Sequence, residues 1–427
     1  MKTFLKILGI ICIMIFIFIV ILNVKYSNTV LLDDSDLVYQ PMTINPSDNG
    51  FEILLPTLKE LKTLNSFEEI WDEVSKLSML KTELDIDRAN ALIVEHLNLR
   101  NQLSNALQVN FFHMPFDEDF ISSNAGEDYF RELIFIGNLE ALNARLLLNN
   151  KDYDQAGYSF KKLLKLAYLL QNSDNDSIGY LLGFGIKEKT IELLNIWIKE
   201  SHFGVEYYKN FLADIAPYLE NSGLDATYKI EYRQISNLIK KTKRPQDFFK
   251  AGPVNKEYKK SIQAWRNWGW MIYNENKTLN ELARIYRQEI HNINKDFKDM
   301  KHFNVSSRKK TPNNFFKYLS GNICGEILMT VTVPNHKDQI QRYWKVYARC
   351  HLTKLMLAMK AYQVENRQLP HSLDDLMPSY IQGIPADPFD GKFLRYSQVD
   401  KKIYSIGPDL KDDRGENSKD IIISLEF

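Results

Sequence analysis

Between residues 51 and 333 the apolar side chains recur at helical spacing and almost never alternate, which restricts most of this chain to helices. Phe160, Leu163, Leu164, Ala167 and Leu170 follow one another at steps of three, one, three and three, so they share one helix face. Similar stripes run through 127–148 and 186–199. The stretch from 146 to 170 reads as two helices joined by a turn at Asn149-Asn150. Its Tyr153 and Ala156 sit as in one tetratricopeptide unit, but no second copy follows at an offset of about 34 residues. A single helical hairpin is therefore expected, and no array.

The chain opens on an unbroken apolar run, Ile7 to Leu22, preceded by Lys2 and Lys6. At about 1.5 Å per residue these positions cover roughly 24 Å, and Phe4, Leu5 and Val24 extend the run toward a hydrocarbon core of roughly 30 Å. The residues that follow, Leu22-Asn23-Val24-Lys25-Tyr26, lack the small side chains of a signal-peptidase site, so an uncleaved anchor is expected over 1–27. Because the lysines precede the run, the positive-inside rule keeps the N-terminus cytoplasmic and sends the rest of the chain across the membrane. Residues 28–50 carry Pro41, Pro46 and Gly50 with no sustained period and read as a linker.

Charge argues against a nucleic acid partner. Lysine and arginine number 54 and aspartate and glutamate 54, which leaves no basic excess. One local exception, residues 229–266, holds eleven Lys/Arg against three Asp/Glu with Phe248, Phe249, Tyr258 and Trp265 interleaved. Such a stretch binds a polyanion or is a solvated connection between helices. The neighbouring WRNWGWMIY (265–273) either stacks a sugar ring or closes a helix interface. Cys324 and Cys350 are the two cysteines outside the apolar run, as a disulfide or as two buried thiols.

No catalytic signature is present: there is no H-E-x-x-H, no G-x-S-x-G, no phosphate-binding glycine loop and no Cys-x-x-Cys. Neighbouring acids such as Glu68-Glu69 and Asp117-Glu118-Asp119 do not share a helix face, and the eight histidines are scattered. A hydrolase assembled from residues distant in the helical domain stays open as the alternative to a non-enzymatic protein.

From about residue 338 the pattern changes. Leu352, Leu355, Met356, Met359 and Tyr362 mark a helix that Pro370 terminates, and Ser372 with Asp374 and Asp375 caps a short second one. After GIPADPFDGK come three β-prone pieces, 393–397, 402–406 and 420–425. The first two read as a hairpin and the third returns beside them. The connection "GPDLKDDRGENSKD" gathers Asp409, Asp412, Asp413, Glu416 and Asp420.

The order of a long helix, "NRQLPHSLDDL", "GIPADPFDGKFLRYS", "KIYSIGPDLKDD" and "DIIISL" resembles the globular domain of the major pseudopilin of type II secretion systems, over roughly 85 residues. The resemblance implies a structural calcium site in the last loop, with Ser405, Gly407, Asp409 and Asp420 on matching steps. Asp413-Arg414 stands where that family usually has Gly-Gly, and Leu410 replaces another glycine. The prepilin cleavage signal is absent, so assembly into a pseudopilus is not implied.

The expected fold is mainly α: the N-terminal transmembrane helix, a large all-α extracytoplasmic domain over 51–333, and a small α+β pseudopilin-like domain over 338–427 with a three-stranded antiparallel sheet. The expected function is that of a single-pass bacterial inner-membrane protein, its bulk periplasmic, which binds an envelope protein partner or serves a structural role. One structural Ca²⁺ is expected on Asp409, Asp420, Asp412 and Asn417, with Ser405 or Ile406 adding an oxygen. Against this stands an ordinary acidic turn, neutralised by Lys411, Arg414 and Lys419.

Overall fold

The computed structural model describes residues 9–10, 13–18, 29–114, 129–220, 223–241, 273–295, 297–300, 322–334, 336–416 and 419–427. Among the described residues the elements in chain order are α1 (Gly50–Lys62), α2 (Phe67–Leu77), α3 (Ile86–Glu95), α4 (Leu97–Ala106), α5 (Phe130–Asn149), α6 (Tyr153–Asn172), α7 (Ser177–Glu200), α8 (Val205–Ile215), α9 (Leu224–Lys241), α10 (Glu275–Ile293), α11 (Ile323–Thr332), α12 (His336–Asn366) and strands β1 (Arg395–Ser397), β2 (Lys402–Ser405) and β3 (Ile421–Ser424). Mainly helical with one small antiparallel sheet, this matches the architecture read from the sequence.

The membrane span is not supported. Among the described residues no helix is long and apolar enough to cross a membrane. Residues 13–18 are helical and exposed, while most of the expected anchor lies outside the described residues. Also outside them lie much of the basic stretch and most of the tryptophan cluster (242–272), and Asn417.

The stripe on α6 forms the centre of the helical region. Phe160, Leu163, Leu164, Ala167 and Leu170 are all at most 1% exposed. The turn after α5 is the expected hairpin: Asp152 caps α6 by accepting a hydrogen bond from the Gln155 amide at 3.3 Å. α7 folds back onto α6 and packs against it more extensively than any other helix pair. Close approach is allowed at Gly183, where a Cβ would lie 2.7 Å from the Ala167 carbonyl oxygen. Trp197 of α7 is fully buried among Phe160, Phe203, Tyr208 and Phe211. Its indole N–H donates to the Tyr153 carbonyl at 2.7 Å, which satisfies the one polar atom it takes inside.

Two buried carboxylates are paired. Glu140 is fully buried; it accepts a hydrogen bond from Arg100 at 3.0 Å and forms an ion pair with Lys162 at 2.6 Å. Glu231 and His336 form a second buried pair at 3.0 Å that fixes the start of α12 against α9. Both carboxylates are thereby spent on structure.

α12 joins the two ends of the molecule. One side lies on α7 and α8, the other under β2 and β3, and one hydrophobic cluster runs from Leu37 through Phe160 to Leu425. Polar contacts follow the α7 side: Arg342 and Arg349 hold Glu188 at 2.6 and 2.9 Å, Thr353 donates to Asn195 at 3.1 Å, and Lys360 donates to the Lys199 carbonyl at 3.2 Å. Lys354 pairs with Glu220 from the turn after α8. Cys350, on the same helix, is a buried free thiol.

The expected linker is pinned along the protein surface by side chains that no periodicity would reveal. Asn280 bridges the Leu32 amide and the Val30 carbonyl, each at 2.8 Å. Arg287 holds Asp36 at 2.6 Å, Tyr232 donates to Asp34 at 2.6 Å, and Tyr39 donates to Asp174 at 2.7 Å.

Candidate metal centre

The sheet is a meander of order β1-β2-β3, with Arg395 opposite Tyr404 and Ser405 opposite Ile421. Alternation aims Ile403, Ile423 and Leu425 into the core. Three strand segments and their pairing fall where the sequence places them. The cap before them is equally regular: the Asp375 carboxylate accepts the His371 and Ser372 amides at 2.8 and 3.0 Å.

Beneath the acidic loop lies a polar centre that motif reading missed. Asp387 is fully buried and accepts four hydrogen bonds, from Arg395 at 2.6 Å, Ser405 at 2.8 Å, the Ile406 amide at 3.0 Å and the Phe389 amide at 3.1 Å. Burial pushes its carboxyl above the usual range, against those donors. Arg395 also binds Asp390 and lies 3.7 Å from Asp412. The available signal was an arginine eight residues after Asp387 and five after Asp390, on the strand that the DPFDGK turn introduces.

The loop from β2 to β3 leaves the sheet at Gly407 (φ +69°), where a Cβ would sit 2.2 Å from the Lys419 carbonyl oxygen, so the two ends of the loop touch backbone to backbone. Leu410 and Arg414 have φ of 60° and 59°. The glycine-type backbone conformation therefore persists at Leu410 and Arg414 without glycine.

The expected ligands separate into three groups. Ser405 donates its hydroxyl to Asp387, and the amide of Ile406 does the same, so both face the polar centre below the loop. Asp412 accepts the Arg414 amide at 2.9 Å and the Tyr404 hydroxyl at 3.2 Å on the loop's exposed side. Asp409 and Asp420 remain. Asp420 is 7% exposed; its Oδ2 accepts the Gly415 amide at 2.8 Å while its Oδ1 is buried with no hydrogen-bond partner. Asp409 accepts the Lys411 amide through Oδ1, and its Oδ2 is likewise buried and without a hydrogen bond. The Lys419 ammonium stands 3.4 Å from that Oδ2, at ion-pair distance but without hydrogen-bond geometry.

Electrostatics distinguish the two acids. Burial, then the charges of Asp413, Asp412 and Asp409, raise the Asp420 carboxyl above its ordinary value. Asp409 is held lower: burial works against ionisation there, but the Lys411 amide and the Lys419 ammonium outweigh it. The two oxygens without hydrogen bonds suit a hard cation. Among the described residues, however, no three His, Cys, Asp or Glu side chains are grouped to hold a metal. A cation of six to eight ligands at this loop would draw the rest of its shell from main-chain carbonyls and water.

No family model, curated protein or solved structure matches this chain.

Proposed function

We propose that this chain is a membrane-anchored, extracytoplasmic, non-enzymatic binding or structural protein of the bacterial envelope, related to secretion, whose C-terminal end is a pseudopilin-like unit closed by a calcium ion. The observation that carries the metal reading is the pair of buried carboxylate oxygens, Asp409 Oδ2 and Asp420 Oδ1, left without hydrogen bonds in one loop. Buried polar atoms are ordinarily satisfied; Asp420 Oδ1 has no hydrogen bond and Asp409 Oδ2 has only the Lys419 ammonium at 3.4 Å, and with further acids beside them this suits a bound cation. Calcium supplies positive charge to the loop when bound. Asp420 would hold the ion from the β3 end and Asp409 from the β2 end, and the Lys419 side chain, 56% exposed, would have to give way to it.

The envelope reading rests on the lysine-flanked apolar run at the N-terminus and on the way α12 fastens the C-terminal unit to the helical region. A partner docking on the unit is thereby coupled rigidly to the rest of the chain. The partner is an envelope protein. Nucleic acid is not expected, for want of any basic excess.

The full-length chain tests both parts. Saturating calcium at a hundredfold excess over Kd stabilises a folded state that alone binds it by about 2.7 kcal/mol. A rise in melting temperature with calcium over chelator, absent in Asp409→Asn and Asp420→Asn, is the expected result; equal melting in both media would remove the metal. For topology, protease added to intact spheroplasts should digest the chain, and full protection would place its bulk in the cytoplasm.

A further inference from the structure

Between α5 and α7 runs a groove of about 400 Å³, within the roughly 300–1,000 Å³ range of small-molecule sites. Its walls are Phe130 and Ile134 of α5 and Ile178, Leu181, Leu182 and Ile186 of α7. Ile178 and Leu181 form a solvent-open rim, 43% and 40% exposed. The floor is interrupted at Gly185, where an added Cβ would meet nothing within 4 Å. The groove shares no residue with the acidic loop.

The polar groups of the groove cluster together. Lys189 donates to Asn138 Oδ1 at 2.5 Å and to Ser78 Oγ at 3.0 Å, which leaves one ammonium proton over. Both partners are neutral, and among the described residues no carboxylate lies within ion-pair distance of it. Glu192, whose charge acts on Lys189, is one turn further on and 3.9 Å from Arg349. Burial draws the Lys189 pKa down to about 8, so an anion placed against it would relieve the unpaired charge. The hydroxyl of Thr190 is spent on the Ile186 carbonyl at 2.7 Å. An extended peptide, which needs backbone partners along its length, finds none on the apolar walls.

We infer that this groove binds a fatty acid: the alkyl chain lies along the walls between Ile178 and Ile186, and the carboxylate meets Lys189 and the second Nδ2 proton of Asn138, whose first goes to Ser75 Oγ at 3.1 Å. The eleven helical steps from Ile178 to Lys189 span roughly 16 Å of helix, which suits one acyl chain.

The probe is dodecanoate carrying a diazirine at its chain end, photolysed with the full-length chain in lipid nanodiscs, with cross-linked peptides located by mass spectrometry. Labelling should be saturable, competed by unlabelled dodecanoate, and concentrated in peptides from 130–149 and 177–200. Gly185→Phe fills the groove and should cut that labelling at least tenfold. Lys189→Gln should weaken the carboxylate probe several-fold while leaving a dodecanol probe unchanged. Labelling of wild type by the alcohol as strong as by the acid, labelling indifferent to Gly185→Phe, or no labelling at these helices would each overturn the assignment. Gly185→Leu is the second blocking variant. Failure of both variants to fold would itself contradict the open space at Gly185.

Discussion

Asp387→Ala gives the most demanding test of how the C-terminal unit is held. The substitution withdraws the acceptor from Arg395, Ser405 and the Phe389 and Ile406 amides at once, in a site with no solvent access. Removing one partner of a buried ion pair costs about 3–5 kcal/mol. Arg395 keeps Asp390, which argues for the lower end, whereas each orphaned buried donor adds about 1–3 kcal/mol. These terms overlap, so the expected loss is about 3–5 kcal/mol and not their sum. Asp387→Asn should cost less, because an amide oxygen still accepts from Ser405 and Phe389 while its NH₂ opposes Arg395 and the Ile406 amide. A chain of 427 residues need not unfold in one step, so the readout is native-state hydrogen exchange of the β2 amides, not a global melt. Exchange of Ile403, Tyr404 and Ser405 unchanged to within about 0.5 kcal/mol would mean that hydrophobic contact with α12 alone holds the sheet, and the polar centre would lose its role.

Three further outcomes are expected around the loop. In chelator, Asp420 has a folded-state pKa above its unfolded value of about 4, so the stability it contributes is present at lower pH and lost as pH rises through the raised value. Asp420→Asn should therefore stabilise the metal-free protein at neutral pH, and a chelator melt that is lower for the variant refutes the repulsion. Leu410→Gly and Arg414→Gly each release a left-handed backbone worth about 1–2 kcal/mol against a glycine entropy cost of about 0.5–1 kcal/mol. A small gain in β3 exchange protection checks this, and a loss in both contradicts it. Gly407→Ala should separate β2 from β3, seen as fast exchange at Ile421–Ser424, because its Cβ would lie 2.2 Å from the Lys419 oxygen.

The helices were legible because burial on one face leaves a 3.6-residue trace in the sequence, and the α6 stripe is that trace. The strands were legible through turn chemistry: Asp390-Gly391 before β1 and Gly407 after β2 bound short apolar runs. What escaped was the double contact of α12. Leu352, Leu355, Met356 and Met359 mark one face, but Thr353, Lys354 and Lys360 are buried too. A lysine at helical spacing reads as solvent-facing; these two run their methylene stems along the interface and end on Glu220 and the Lys199 carbonyl. The pinned segment before α1 was invisible for a related reason, since hydrogen bonds from Asn280, Tyr232 and Arg287 require partners about 200 or more residues away and impose no period.

Loop order bears on which cation the acidic loop would select. Its framework is already built: Gly415 donates to Asp420, Lys402 donates to the Gly415 carbonyl at 3.3 Å, and Tyr404 ties Asp412. At these described positions the side chains are already tied, so affinity follows the donors themselves. Two carboxylate oxygens plus carbonyls and water make an irregular shell at about 2.3–2.6 Å, which calcium accepts. Magnesium demands near-octahedral geometry at about 2.0–2.1 Å and sheds water reluctantly. The backbone contact between Gly407 and Lys419 limits how far the two ends of the loop can draw inward to meet that shorter distance. The melting temperature of the full-length chain should therefore rise with calcium at concentrations where magnesium leaves it unchanged. Equal responses to both ions, persisting in Asp409→Asn, would trace the effect to general screening of the acids and not to a coordinated ion.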